Sequence, residues 1–307
     1  MGAAADGEGM ALIKTEQLLR EGMDARQIGR KVAEAQLVKI RHGVYDDAPA
    51  DRGPEDDHLK LIAATVGLLG AGAILSHVSA GLLHGMPVPR SALDKVTITR
   101  MSAGGGHVHH QLHEYKAALR DLDVVEVSGL LVTSATRTAV DLARTAGLAY
   151  GLAACDVALR RGHPRDELAE QVSLWPRRPG MAKGRRAAAL ADGRSESYGE
   201  SLSRLLMWQL GVPSPELQWP CWVDGRQFRS DFGWPELGVL GEFDGKIKYD
   251  QLLSPGQSAA EVVMAEKRRE QALQAQSWYV VRWGMAELQD PPRFKSLLEA
   301  AFRNASR

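Results

Sequence analysis

Cysteine is scarce. The 307 residues contain two, Cys155 and Cys221, far apart in the chain. That excludes a disulfide scaffold and a cysteine-rich zinc site, and it suits a reducing cytosol. Excess charge of either sign is also missing: Lys+Arg is 38 and Asp+Glu is 38. No global field draws this chain to nucleic acid or to a membrane surface, so any basic surface must be local. Long hydrophobic runs are absent as well, none reaching the roughly 18 apolar residues of a transmembrane helix. The apolar segment from Ala63 to Leu75 is too short to span and reads as a buried helix entering a strand or turn. The opening MGAAADGEG lacks a basic region followed by an apolar core, so it reads as a disordered lead-in rather than a signal peptide. A cytoplasmic protein without membrane contact is expected.

What is present suggests several domains, because single cores rarely grow beyond about 250–300 residues. The expected division is a lead-in over 1–9, a small helical unit over 10–46, a polar, proline-containing linker over 47–57, a mixed α/β middle domain over 58–165, a basic linker over 166–192 and a C-terminal α/β domain over 193–307. In the first unit TEQLLREG reads as a helix, with Thr15 as N-cap and Gly22 as its stop. Asp24 caps a second helix, and LVKIRHGVY reads as a hairpin turning near Gly43. Helix, helix and hairpin in that order predict a winged helix-turn-helix. Arg26, Arg30 and Lys31 share a face of its second helix, while Lys39 and Arg41 decorate the wing, where they could meet DNA phosphates.

The stretch QIGRKVAEAQLVKIRHGVY resembles the N-terminal winged helix of the AbiEi family of antitoxins, with Ala35 or Gln36 where that family has glycine before the wing. SHVSAGLLHG (Ser76 to Gly85) and TSATRTAVDLA (Thr133 to Ala143) resemble that family's middle region. The resemblance implies DNA binding and a toxin or defence-system partner, and it assigns the middle motifs no catalytic role. Asp141 reads as a structural hydrogen-bonding group. Four histidines, His107, His109, His110 and His113, invite a zinc reading, but their alternation and the preceding glycines fit an exposed strand or a nucleic-acid-facing edge better.

The segment RSDFGWPELGVLGEFDGKIKY, Arg229 to Tyr249, carries the chemistry. It reads as two strands joined by a tight turn, with Asp231 on the first. Glu242, Asp244, Lys246 and Lys248 fall on alternate positions and share a face if the second strand stays extended through Gly245. Clustered carboxylates repel unless a cation lies among them. This composition is that of an oxygen-ligand Mg²⁺ site, with Mn²⁺ as a substitute, and with lysines to meet phosphate. Around it, a helix capped at Ser195, three strands, a basic helix, the strand WYVVRW and a closing helix give the order αβββαβ.

That order and its motifs resemble the PD-(D/E)xK, restriction-endonuclease-like fold, in the branch of very-short-patch-repair endonucleases and domain-of-unknown-function family 559. The resemblance covers Glu196 to about Leu288. It implies Asp231 and Glu242 as metal ligands, Asp244 as a further ligand or acid, and Lys246 orienting water or meeting the phosphate. Glu200 would complete the acid set, with Glu196 its competitor. Lys267 and Arg269 would contact the DNA backbone. Two departures stand out: Glu-x-Lys is absent, and Lys248 replaces a common histidine, leaving it a phosphate-binding role. The expected function is a Mg²⁺-dependent DNA endonuclease guided by its winged helix. The alternatives are an AbiEi-type antitoxin or transcriptional regulator whose nuclease-like domain does not cut, and an interaction protein in phage defence.

Overall fold

The computed structural model describes residues 12–47, 53–102, 105–223, 225–245, 264, 271–273 and 275–305. It is a mixed α/β protein of two compact units, Met1–Ala146 and Gly147–Arg307. Among the described residues no helix is long and apolar enough to cross a membrane.

The first unit begins with β1 (Leu12–Lys14), α1 (Thr15–Arg20), α2 (Ala25–Ala33), β2 (Val38–Arg41) and β3 (Val44–Asp46), with the strands in the order β1-β3-β2. Thr15 is the first helical residue rather than the cap; Lys14 takes the cap position without a side-chain bond. Asp24 does cap α2, accepting from the Gln27 N–H at 2.8 Å while Gln27 reaches back to the Asp24 N–H. Leu18, Ile28 and Leu37 form the small core beneath. Gly43 turns the hairpin at φ +78°. Ala35 stands at φ +55° where a glycine is the unstrained choice.

Next come α3 (Pro54–Val66), β4 (Ala73–Leu75), α4 (His77–Leu83), β5 (Val96–Arg100), β6 (His107–Val108), β7 (Leu112–Lys116), β8 (Val124–Val127), β9 (Leu130–Thr133) and α5 (Ala135–Thr145). Their six strands run in the order β6-β7-β5-β4-β9-β8. The pairs β4–β9 and β5–β7 are parallel and the others antiparallel. Helix α3 opens at Pro54, inside the stretch read as a linker, because proline is pre-set for a first helical turn. Asp141 is buried between two guanidiniums, Arg137 at 2.7 Å and Arg144 at 2.6 Å. Burial pulls its carboxyl up, but the His77 charge and then these two guanidiniums hold it below the ordinary value, a structural role.

The second unit packs helices α6 (Leu148–Arg160), α7 (Arg165–Leu174), α8 (Met181–Leu190) and α9 (Tyr198–Leu210) beside the strands β10 (Glu216–Val223), β11 (Arg226–Trp234), β12 (Val239–Phe243) and β13 (Tyr279–Trp283). Helices α10 (Met285–Leu288) and α11 (Pro291–Ala305) follow. Helices α7 and α8 occupy the stretch read as a basic linker. The sheet order is β10-β11-β12-β13, antiparallel except for the parallel pair β12–β13. One face of the sheet buries Phe232, Trp234, Val239 and Trp283 against Met207 of α9 and Phe294 and Leu298 of α11. Leu240 and Cys221 pack with Leu273 in a separate cluster.

Candidate acid site

The acids come together because three local features force them. Helix α9 starts at Ser197, not Ser195: the Ser197 hydroxyl accepts from the Glu200 N–H at 3.2 Å. The Glu200 carboxylate accepts in turn from the Glu196 N–H at 2.8 Å, which fixes it in the first turn. Gly199 lets that turn approach β12; a Cβ there would lie 2.0 Å from the Phe243 ring. On the sheet, Phe232 faces Gly241 and Gly233 faces Leu240, so the register brings Asp231 level with Glu242. Residues two apart on a strand share a face, so both acids lie on the side of Gly233 and Leu240.

Asp231 is the perturbed member. Its Oδ2 accepts from the Phe243 N–H at 2.8 Å, where the β11–β12 ladder ends. Burial and the Glu200 charge push its carboxyl up to about 7. The Phe243 hydrogen bond resists that rise, and the Glu242 and Glu196 charges add to it. Glu200 is buried, and Gln218 Nε2 donates to its Oε2 at 3.2 Å. Gln218 sits on β10 with φ +55°, a kinked backbone within the strand. Glu242 is bound by Arg282 Nε of β13 at 2.9 Å. Glu196 is the exposed acid, paired with Arg229 at 3.0 Å. Of the two competing helix acids, Glu200 is the buried one and lies first among the charges acting on Asp231.

Other expected residues fall elsewhere. Strand β12 ends at Phe243, so Asp244 does not continue its alternation and is exposed. The cause is local: Asp244 N–H donates to Trp283 O at 2.8 Å and the backbone turns through Gly245. Lys246, Lys248, Lys267 and Arg269 lie outside the described residues. Among the described residues, no group of three or more His, Cys, Asp or Glu side chains has the arrangement of a metal cage. Two of the acids have partners of their own, Arg282 on Glu242 and the Glu196 N–H on Glu200. The donor set still fits Mg²⁺ chemically, since that ion takes oxygen donors and commonly keeps several waters while bound through one or two carboxylates.

Sequence reasoning missed Gln218 and Arg282. Each is a lone polar residue in an apolar strand, LQWPCWV and WYVVRW, and that isolation was the available signal.

In the first unit, Arg26 and Arg30 are exposed on α2 and Lys31 is half-buried, while Ile28 anchors the helix. Lys39 is exposed. Arg41 departs from a wing decoration: its Nη1 donates to Thr65 Oγ1 at 2.7 Å, tying the hairpin to α3. His107, His109 and His110 are exposed on β6 and the turn after it, and the His113 ring stacks on Tyr115 at 4.1 Å.

Fold and site together define a mixed α/β protein with an acid cluster on the β11–β12 pair of its C-terminal sheet. Two uncharacterized proteins of Mycobacterium tuberculosis, MT2308 of strain CDC 1551 / Oshkosh and Rv2248 of strain H37Rv, are 30% identical to it over 265 residues, 81% of this chain and 93% of theirs. The chain belongs to their family. No family model matches it. A crystal structure of the RV2827C protein from Mycobacterium tuberculosis is similar over 58% of this chain and 75% of that one, with 16% identity and a TM-score of 0.32.

Proposed function

We propose that this protein is a divalent-metal-dependent DNA endonuclease, with a restriction-endonuclease-like αβββαβ domain at its C-terminus and a winged helix at its N-terminus. The observation that carries the reading is Asp231, a carboxyl pushed up to about 7 by burial and by Glu200, Glu242 and Glu196. Strand-borne acids gathered in this way cost stability without a counter-charge, and perturbed groups of this kind concentrate at functional sites. Asp231 and Glu242 would hold Mg²⁺ or Mn²⁺, with Glu200 and Asp244 supporting through water. A bound ion would lower the pKa of its water and offset charge developing on the phosphate. Asp231 Oδ2 is anchored by the Phe243 N–H, which leaves Oδ1 to hold the ion or to take a proton from the attacking water. Gln218 positions Glu200, and Arg282 positions Glu242. Arg26, Arg30, Lys31 and Lys39 would position the duplex by its phosphates.

A second reading has its own support. Arg282 already neutralises Glu242, and the described residues form no three-ligand cage. A regulator of AbiEi type, binding DNA through the winged helix without cutting, needs neither. Nicking of supercoiled plasmid with Mg²⁺ separates the two. The endonuclease reading expects nicking by the parent and loss of at least about a hundredfold in Asp231→Ala and Glu242→Ala, the scale on which removing electrostatic stabilisation acts. If the parent shifts plasmid on a gel yet leaves it intact, the regulator reading stands instead.

A further inference from the structure

The β2–β3 hairpin and the turn between β6 and β7, both in the first unit, wall a groove of about 700 Å³. Lys39, Arg41 and His42 line it from the hairpin; His109, His110 and Gln111 line it from the opposite turn. No carboxylate and no Phe, Tyr or Trp side chain is among its lining residues. Gln111 Nε2 donates to Ile40 O at 2.8 Å and ties the two walls together. His109 N–H donates to Leu112 O at 2.7 Å, which closes the turn that carries both exposed imidazoles. Arg41 is fixed by Thr65, and its buried Nε has no acceptor.

We propose that this groove binds the phosphodiester backbone of a nucleic acid, with His109 and His110 gripping from one wall and Lys39 and Arg41 from the other. Guanidinium, ammonium and imidazole N–H groups all donate to phosphate oxygens, and backbone binding needs no apolar anchor. An acidic peptide is the poorer fit, because peptide recognition leans on buried aromatic anchors that this groove does not offer. The inference gives a task to the HVHH segment, which the acid site leaves without one. It rests on the nucleic-acid-binding half of the proposed function and not on cleavage.

The test is fluorescence anisotropy of the full chain with a labelled random-sequence duplex in EDTA across a salt series. The variants are His109→Glu/His110→Glu, Lys39→Glu on the opposite wall, and, as a control outside the groove, Lys295→Glu on α11 of the second unit. Circular dichroism checks that each is folded. Either groove variant is expected to weaken duplex binding at least tenfold and to lower the salt slope by about 1–2, the value of one or two lost phosphate contacts. The control should bind as the parent does. Parent-like duplex binding by both groove variants overturns the proposal. So does loss of labelled polyglutamate binding with duplex binding intact, which would assign the groove to an acidic peptide. A parent that binds no duplex overturns it too. Groove-dependent binding by a protein that nicks no plasmid leaves this proposal standing and removes only the endonuclease reading.

Discussion

Replacing Asp231 by Asn should make the second unit more stable at alkaline pH and, on the endonuclease reading, abolish cleavage. A carboxyl held at about 7, against an ordinary value near 3.9, carries at most about 4 kcal/mol of penalty for ionising in the fold. Asp231 is only partly buried, so solvent screening reduces this to about 1–2 kcal/mol. The sign follows from linkage. A raised folded value means that the native state holds its proton more tightly than the unfolded chain does. The stabilising contribution is therefore complete below about pH 4 and is lost as pH rises through about 7. Asn cannot ionise, and its carbonyl oxygen can still accept from the Phe243 N–H. At pH 8 the variant should melt about 2–8 °C above the parent, at roughly 2–4 °C per kcal/mol for a unit of this size. At pH 4 the two should coincide. The seven tryptophans lie between Trp175 and Trp283, all in the second unit, so intrinsic fluorescence follows that unit alone. Adding Mg²⁺ at pH 8 should raise the parent's midpoint and leave Asp231→Asn unmoved. A variant that melts at or below the parent at pH 8 refutes the idea that this carboxylate is electrostatically strained.

Three further outcomes follow from the same geometry. Gly199→Ala drives a Cβ into the Phe243 ring; it should destabilise the second unit by about 1–3 kcal/mol in a urea melt and, on the endonuclease reading, reduce nicking by displacing Glu200. Ala35→Gly relieves a left-handed backbone and should stabilise the first unit by about 0.5–1 kcal/mol, read by hydrogen exchange of Leu18 and Ile28 amides. Acid should loosen the first unit: burial lowers His77 from 6.5 to about 4, so the unfolded chain takes the proton first and stability falls between those values. Asp141, held low by His77 and by its guanidiniums, adds a loss in the same direction at lower pH. The expected total is on the order of 3 kcal/mol at pH 4, and first-unit hydrogen exchange that does not quicken between pH 6.5 and 4, after correction for intrinsic rates, would contradict it.

Much of the C-terminal order was legible because its signals are local and strong. Alternating apolar residues in RQFRSDFGW and LGVLGEF, a tight PELG turn and the β-branched run of WYVVRW mark strands without help from the rest of the chain. The convergence of Asp231 with Glu242 follows from that turn, since its length sets the register. What failed depended on contacts far apart in sequence. Where β12 ends is decided by Trp283, whose carbonyl takes the Asp244 N–H. Arg282 and Gln218 join the site through strands that neighbour it in space, which no spacing rule announces. The start of α9 was misplaced by two residues because Ser195 and Ser197 are both good caps; Ser195 is instead buried, its hydroxyl bound by Arg204 at 2.9 Å.

The chain holds two partly or wholly buried aspartates whose surroundings push them in opposite directions, and the contrast separates structure from chemistry. Asp141 lies between Arg137 and Arg144 and is lowered; each oxygen has a cation, and the motif around it agrees with the fold at every level. Asp231 has one backbone donor, and acids where cations would be expected. Selection for stability alone would replace such a residue, since an amide in its place keeps the hydrogen bond and sheds the repulsion. Local rules that a sequence breaks without compensation tend to mark its functional sites. On the proposed reading, the counter-charge missing around Asp231 would come from a bound divalent cation, whose preference for oxygen donors matches the carboxylates it would meet.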